Sequence, residues 1–338
     1  MSGTNFEFEQ LALAQRDNLT TLQSHILAGE TEHPGDHGAF SWILSALSLS
    51  AKVISAKIRR ARLLDVLGAA GSDNVQGEKQ QMLDVIANET LLRCLGNRAG
   101  VAIVASEENE EPLIIQRESS GHRPYCVLFD PLDGSSNLDT CGAVGTIFSI
   151  LRHDPSVKPP ENAVLQAGIR QVAAGYILYG SSTVFVITTG DGVHMFVLDP
   201  NIGAFLRVAE NLCIPRSGKT YSVNEGHRAS FELGYRRFLD WAQSNGYSSR
   251  YAGAMVADVH RVLLQGGVFF YPPTKKAPEG KLRLMYEANP MAMIVEQAGG
   301  QAFAGKRRIL EIEPQTLHQR TSVILGSPEE VERLVALL

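Results

Sequence analysis

Cysteine is scarce in this 338-residue chain, with four residues and no CxxC pair among Cys94, Cys126, Cys141 and Cys213. That scatter excludes a disulfide framework and a thiolate metal site, and it reads as buried thiols in a reducing compartment. No run of about 18 uninterrupted apolar residues occurs, so no membrane span is expected. The N-terminus has no basic stretch leading into an apolar core and does not read as a signal peptide. No long run of one charge sign appears and the net charge is −5, which argues against a nucleic-acid surface. These absences favour a cytoplasmic protein that binds neither membrane nor nucleic acid. A small acidic ligand stays open, because one local basic pocket suffices for it.

What remains has ordinary globular composition, 44% hydrophobic and 20% charged, over a length that allows two domains. Residues 1–36 are polar, with a loop at "GETEHPGDHG". Helical spacing of Phe40, Ile43, Leu44, Leu47, Ile54 and Ile58 predicts a helix over 40–67. Residues 72–79 read as an exposed loop and Lys79–Leu95 as a second helix. "VAIVAS" (101–106), "YCVLFD" (125–130) and "VGTIFSIL" (144–151) read as strands. "AAGYILYG", "TVFVITTG" and "VHMFVLDP" then form a meander. Beyond about Asn211 the texture changes, with helices expected at 231–244, 254–265 and 282–298 and strands at "GGVFFYPP" and "TSVILG". The division is an N-terminal segment (1–36), a first domain (37–210) and a second (211–338).

Carboxylates stand where a core pattern calls for apolar residues. Asp84 interrupts "KQQMLDVIANE", Glu107 and Glu108 end one strand, Asp130 and Asp133 end another, and Glu287 lies in "RLMYEANPMAMIVEQ". Taken singly, each reads as a solvated surface acid. Together, acids at several strand ends can converge at one end of a sheet. Hard divalent cations such as Mg²⁺ take oxygen ligands, and two of them can stabilise both the attacking and the leaving oxygen of a phosphoryl transfer. His122 is the only nearby histidine, so a zinc cluster is not expected. "FDPLDGSSN" (129–137) adds a glycine and two serines, a plain turn on the bland reading and a backbone anion cradle on the sharper one.

"FDPLDGSSN" with upstream "SEEN", "YSVNEG", "RYAGAMVADVHR" and "GKLRLMYEANPMA" resembles class I fructose-1,6-bisphosphatase, in order from about residue 37 to the C-terminus. DPLDGSS alone is shared with the wider lithium-sensitive sugar phosphatase superfamily; the last two motifs are more specific. The resemblance implies an α+β fold, layered α/β/α/β/α with two mixed sheets. It implies Mg²⁺-dependent hydrolysis of the 1-phosphate of fructose 1,6-bisphosphate, in gluconeogenesis or Calvin-type carbon cycling. Two or three ions per subunit are implied, with Mn²⁺ or Zn²⁺ as alternatives. Glu107 and Asp130 should bridge ions, Asp133 and Glu287 hold one, and the Leu132 carbonyl another. Glu108 and Asp84 match the acids that position and deprotonate water.

Gly134, Ser135 and Ser136, with Asp133, match the 1-phosphate cradle. Asn224, Arg250, Tyr251, Tyr271 and Lys281 match the 6-phosphate site, and Met255 a residue beside the sugar. His227 departs from the family, standing where a tyrosine usually binds that phosphate. Arg250 matches the residue that reaches a neighbouring subunit, so a homotetramer is implied. The loop over 62–82, with Glu78, matches the mobile loop of the metal site. No inserted cysteine-bearing loop follows DPLDGSS, so redox activation is not expected. AMP inhibition is expected to be weak. His37, Gly38, Ala39, Phe40 and Ser41 replace threonine-glycine-glutamate-leucine-threonine, and Pro124 replaces a lysine, although Tyr125 and Arg152 match. Two alternatives remain: a sedoheptulose-1,7-bisphosphatase, alone or as a second activity, and a non-catalytic bisphosphate-binding regulator.

Overall fold

The computed structural model describes residues 19–30, 38–73, 79–97, 100–115 and 125–338, without side-chain placement at 29–30, 69–73 and 79–80. His37, Glu78, His122 and Pro124 lie outside the described residues.

Helix α1 (Leu22–Glu30) lies in the segment that composition marks as merely polar. Two apolar anchors four residues apart, Leu22 and Ile26, pin it to the core, too short a pattern to register as a period. Helix α2 (Ala39–Arg59) buries Ile43, Leu44, Leu47, Ala51 and Ile54 on one face. By length and composition alone it could cross a membrane; the burial of that face assigns its apolar character to the core. The helix stops eight residues short of the expected Leu67. Arg60 and Ala61 close tighter three-residue bonds to Lys57 and Ile58, and Asp65 takes a left-handed φ of 52°.

Strands β1 (Ala69–Asp73) and β2 (Lys79–Gln81) pair antiparallel, so ladder flanks what was expected to be loop over 72–79. Helix α3 (Met82–Gly96) begins later than the expected Lys79 because Gln81 is extended and donates its amide to Asp84 Oδ2 at 2.8 Å.

The first sheet contains β3 (Val101–Ser106), β4 (Leu113–Ile114), β5 (Tyr125–Asp133), β6 (Val144–Arg152), β7 (Gln171–Tyr179), β8 (Thr183–Thr188), β9 (His194–Asp199) and β10 (Ala204–Ala209). Their order is β10-β9-β8-β7-β6-β5-β3-β4. The meander expected over β7, β8 and β9 extends from β5 to β10, and within this sheet β3 and β5 alone pair parallel.

The second sheet contains β11 (Thr220–Ser222), β12 (Ser248–Ser249), β13 (Val268–Tyr271), β15 (Gln301–Ala304), β16 (Arg307–Arg308) and β18 (Val323–Gly326), in the order β12-β11-β13-β18-β15-β16. It is also mixed, parallel from β12 to β13 and antiparallel beyond. Helices α4 (Leu233–Ser244), α5 (Met255–Gln265), α6 (Asn289–Gln297) and α7 (Pro328–Leu337) complete the chain.

The expected helix over 282–298 is three pieces. Strand β14 (Leu282–Arg283) pairs with β17 (Arg320–Thr321), a wide π-turn spans Leu284–Ala288, and α6 follows. Pro290 has no N–H to donate and fits only the first turn of a helix, so the regular helix starts around it.

Helices α2 and α3 cover one face of the first sheet, α5 and α6 fill the space between the sheets, and α4 and α7 close the far side. This is the expected five-layer α/β/α/β/α arrangement.

Candidate active site

Parallel pairing decides where the acids meet. Ser106 of β3 lies beside Phe129 of β5, so both strands end at the same edge and release Glu107 and Asp130 side by side. Glu107 donates its amide to the Phe129 carbonyl at 3.1 Å. The second strand continues to Asp133, and the π-turn delivers Glu287 from the opposite side. Asp130, Asp133 and Glu287 are buried, and each offers one carboxylate oxygen within 4.8 Å of the others. Burial first, then the charges of Glu107, Asp133 and Glu287, push the Asp130 carboxyl well above its usual range. Burial and Glu287 raise Asp133 to about 7, against amide hydrogen bonds from Val256 and Met255 that lower it.

These acids line a cavity of about 380 Å³. Among the described residues, seven carboxylates line it, from Asp84, Glu107, Glu108, Asp130, Asp133, Asp258 and Glu287, against two basic side chains, Lys281 and Arg283. Such a cavity repels a phosphorylated ligand unless cations offset the charge. The donor set is all hard oxygen, which suits Mg²⁺-type ions and not a thiolate- or imidazole-seeking metal. The acidic cluster therefore fits a divalent cation.

Gly134 joins the acids to the next feature, a 3₁₀ turn over Ser135–Thr140. Its φ is +75°, and a Cβ there would lie 2.3 Å from the Ala254 Cβ and 2.9 Å from its Cα. Only glycine lets this turn press against the start of α5. The first amides of such a turn lack intrahelical partners and are available to an anion, with the Ser135 and Ser136 hydroxyls beside them. Leu132 lies between, its amide bonded to Asp130 Oδ1 at 2.9 Å.

Among the described residues, Asp84, Glu107, Glu108, Asp130, Leu132, Asp133, Gly134, Ser135, Ser136 and Glu287, expected from sequence around the metal and the 1-phosphate, all line this one cavity, as do Tyr251, Met255, Tyr271 and Lys281. Asn224, His227 and Arg250 do not. Asn224 caps a short 3₁₀ turn, accepting from the Gly226 amide at 3.1 Å, and His227 is exposed on that turn. Arg250 is exposed and donates to the Ser249 carbonyl at 2.9 Å. Two charged lining residues escaped the sequence reading. Arg283 places Nη2 2.8 Å from Glu107 Oε1, and its amide donates to Glu287 Oε2 at 2.5 Å. Asp258 sits in the first turn of α5. The signal for both was the one that marked Asp84: a charge set between apolar neighbours, here Leu282 and Leu284, or Ala257 and Val259.

Near α2, a second cavity of about 280 Å³ is lined by His25, Phe40, Thr189 and His194 among others. Phe40 packs on Tyr125 with ring centroids 5.7 Å apart, and Arg152 lies over the same tyrosine ring. The four cysteines are free thiols, but not the buried set expected: Cys126 is buried, which pushes its thiol up to about 12, Cys94 is half-buried, and Cys141 and Cys213 are exposed.

Comparison with known proteins gives a consistent result. The family models for the N-terminal and C-terminal domains of fructose-1,6-bisphosphatase match residues 20–210 and 214–338. A class 1 fructose-1,6-bisphosphatase of Chlorobium chlorochromatii is 51% identical over 322 residues, 93% of this chain and 96% of that protein. That of Chlorobaculum tepidum is 50% identical over 324 residues, again 93% and 96%. Among solved structures, Leishmania major fructose-1,6-bisphosphatase in holo form superposes with a TM-score of 0.89 at 42% identity, covering 95% of this chain and 99% of that one. The apo form gives 0.84 at 40%.

Proposed function

The chain belongs to the class 1 fructose-1,6-bisphosphatase family, and from that premise we propose that its acidic cavity removes the 1-phosphate of fructose 1,6-bisphosphate, giving fructose 6-phosphate and phosphate. The observation that carries the reading is the convergence of three buried carboxylates within 4.8 Å beside the glycine-serine turn. Glu107, Asp130, Asp133, Glu287 and the Leu132 carbonyl would hold two or three Mg²⁺ ions. Bound there, the ions offset the charge of the phosphate and of the oxygens that attack and leave phosphorus.

The chain's own groups do the rest. The amides and hydroxyls of Gly134, Ser135 and Ser136 hold the phosphate and fix its angle to an incoming water. Glu108 and Asp84 orient that water and take its proton. Glu108 is itself placed by a bond from its amide to the Ser106 hydroxyl, 3.2 Å, which donates in turn to Asn88 of α3 at 2.8 Å. The water oxygen bonds to phosphorus as the bond from phosphorus to the C1 oxygen breaks. The sugar oxygen leaves with a proton, so one water supplies both the phosphate hydroxyl and the sugar hydrogen.

Lys281, Tyr251 and Tyr271 hold the 6-phosphate, and Met255 packs beside the sugar. The exposure of Arg250 supports a role across a subunit contact in a homotetramer, together with Asn224 and His227 at the rim. Four free thiols support a reducing, cytoplasmic setting. The comparisons lend nothing to the sedoheptulose or the non-catalytic reading. The test is phosphate release from fructose 1,6-bisphosphate and from sedoheptulose 1,7-bisphosphate, with Mg²⁺ or with chelator. Turnover of the first that needs Mg²⁺ is expected; equal turnover in chelator, or none at all, would overturn the reading.

A further inference from the structure

Asp258 is 1% exposed, yet it lines a cavity meant for an anion, where an unengaged carboxylate would oppose binding. Both of its oxygens are engaged. Oδ1 accepts the Ala252 amide at 2.8 Å and Oδ2 the Gly253 amide at 3.2 Å. From the first turn of α5 it reaches back past the start of its own helix, where a negative charge is favoured by the helix dipole. The two amides it grips directly follow Arg250 and Tyr251. The Arg250 amide bonds to the Tyr221 carbonyl at 2.9 Å, so the chain leaves the second sheet there and enters α5 at Met255. Between these points Gly253 takes a left-handed φ of +81°. The Ala252 carbonyl accepts from Asn137 Nδ2 at 3.0 Å, and Asp133 Oδ2 accepts from the Val256 amide at 2.7 Å. The start of α5 is thus gripped on one side by an acid of the metal cluster and on the other by Asp258.

We propose that Asp258 is a positioning residue for the far phosphate of the substrate: its carboxylate fixes the 250–254 turn so that Tyr251 faces the cavity beside Tyr271. The role depends on position as much as on charge, because two consecutive amides must be met at once. A longer acid misplaces both bonds, and an amide side chain presents an N–H to one of the donors. The proposal rests on the reading of Tyr251, Tyr271 and Lys281 as the 6-phosphate site.

The experiment compares kcat/KM for fructose 1,6-bisphosphate with that for fructose 1-phosphate, which lacks the far phosphate. The ratio is measured for the unaltered protein and for Lys281→Ala, Asp258→Asn and Asp258→Glu. The expected result is that all three variants lower the ratio at least tenfold. If Lys281→Ala lowers the ratio and neither Asp258 variant does, because both substrates suffer equally or not at all, Asp258 is only a structural support and the proposal is overturned. If Asp258→Glu keeps the ratio while Asp258→Asn lowers it, charge and not position is at work, which also overturns it. If Lys281→Ala leaves the ratio unchanged, the 6-phosphate reading itself fails, and the proposal with it.

Discussion

Arg283 holds Nη2 2.8 Å from Glu107 Oε1, with the two side chains only 5% and 9% exposed. This buried pair puts the one guanidinium that lines the cavity among the described residues beside its acids. Breaking one partner of a buried pair costs about 3–5 kcal/mol, because the other charge is left uncompensated. Arg283→Leu is expected to lose stability on that scale in chelator. It should regain more from Mg²⁺ than the unaltered protein does, since the acids then depend more heavily on added cations. Denaturant unfolding with and without Mg²⁺ reads this directly. An equal Mg²⁺ gain in both proteins would contradict it.

A second expectation concerns Gly134. A side chain at its positive φ costs about 1–2 kcal/mol, and its Cβ would also collide with Ala254 at the start of α5. Because the turn proposed to hold the phosphate meets α5 there, a displacement of about 1 Å is enough to cost roughly 100-fold in kcat/KM. Gly134→Ala should show that loss. Gly203→Ala, at a φ of +65° with nothing within 4 Å of the added carbon, should leave activity alone. Equal activity in the two variants would contradict the role given to the turn.

The long elements were legible because their periods are simple. Ile43, Leu44, Leu47 and Ile54 mark α2, and unbroken apolar runs mark β3, β5 and β6. Periodicity does not say which strands are neighbours. That Glu107 and Asp130 share a site was implied by the resemblance and not by pattern, and the parallel pairing of β3 and β5 that brings them together was not foreseen. The 282–298 region misled for a physical reason: the π-turn over Leu284–Ala288 is buried throughout, so its apolar run reads like that of a buried helix, and only Pro290 hints at the break. Arg283 and Asp258 hid in motifs already singled out, since their charges are met by partners distant in sequence or by backbone amides, neither of which leaves a mark in composition.

A third expectation follows from His260. Its Nδ1 lies 2.7 Å from the Tyr176 hydroxyl. Burial first, then Arg261, lowers its pKa from 6.5 to about 4. The folded chain therefore refuses a proton that the unfolded chain accepts below about 6.5. Stability from this group is intact above pH 6.5, is lost as the pH falls towards 4, and changes no further below that. The loss is at most about 3 kcal/mol. His25, lowered to about 4 as well, titrates in the same window, so the readout is a difference. The gap in unfolding free energy between the unaltered protein and His260→Gln should shrink between pH 7 and pH 4. A gap that does not change with pH would contradict the burial account.

Sensitivity to AMP gives a fourth. Gly38 caps α2 with a left-handed φ of 74°, and Tyr125 and Arg152 pack together nearby. Against the family pattern that the resemblance implies, one threonine hydroxyl is lost at His37 and the lysine at Pro124, while Gly38 and Ser41 keep a backbone and a hydroxyl donor. Two lost bonds to a charged phosphate remove about 3–6 kcal/mol, which weakens binding roughly 10²- to 10⁴-fold. Titration of AMP against activity at fixed substrate should show little inhibition. Half-inhibition at low micromolar AMP would contradict it.

The central claim is that Asp130, within reach of both Asp133 and Glu287, holds the ions on which the reaction depends. The most direct measurement is the kcat of Asp130→Asn on fructose 1,6-bisphosphate at saturating Mg²⁺, with folding verified by its unfolding midpoint. Losing a bridging charge should remove several kcal/mol of transition-state stabilisation, a fall of roughly 10³-fold or more. A folded variant that keeps a tenth of the original kcat would contradict the assignment.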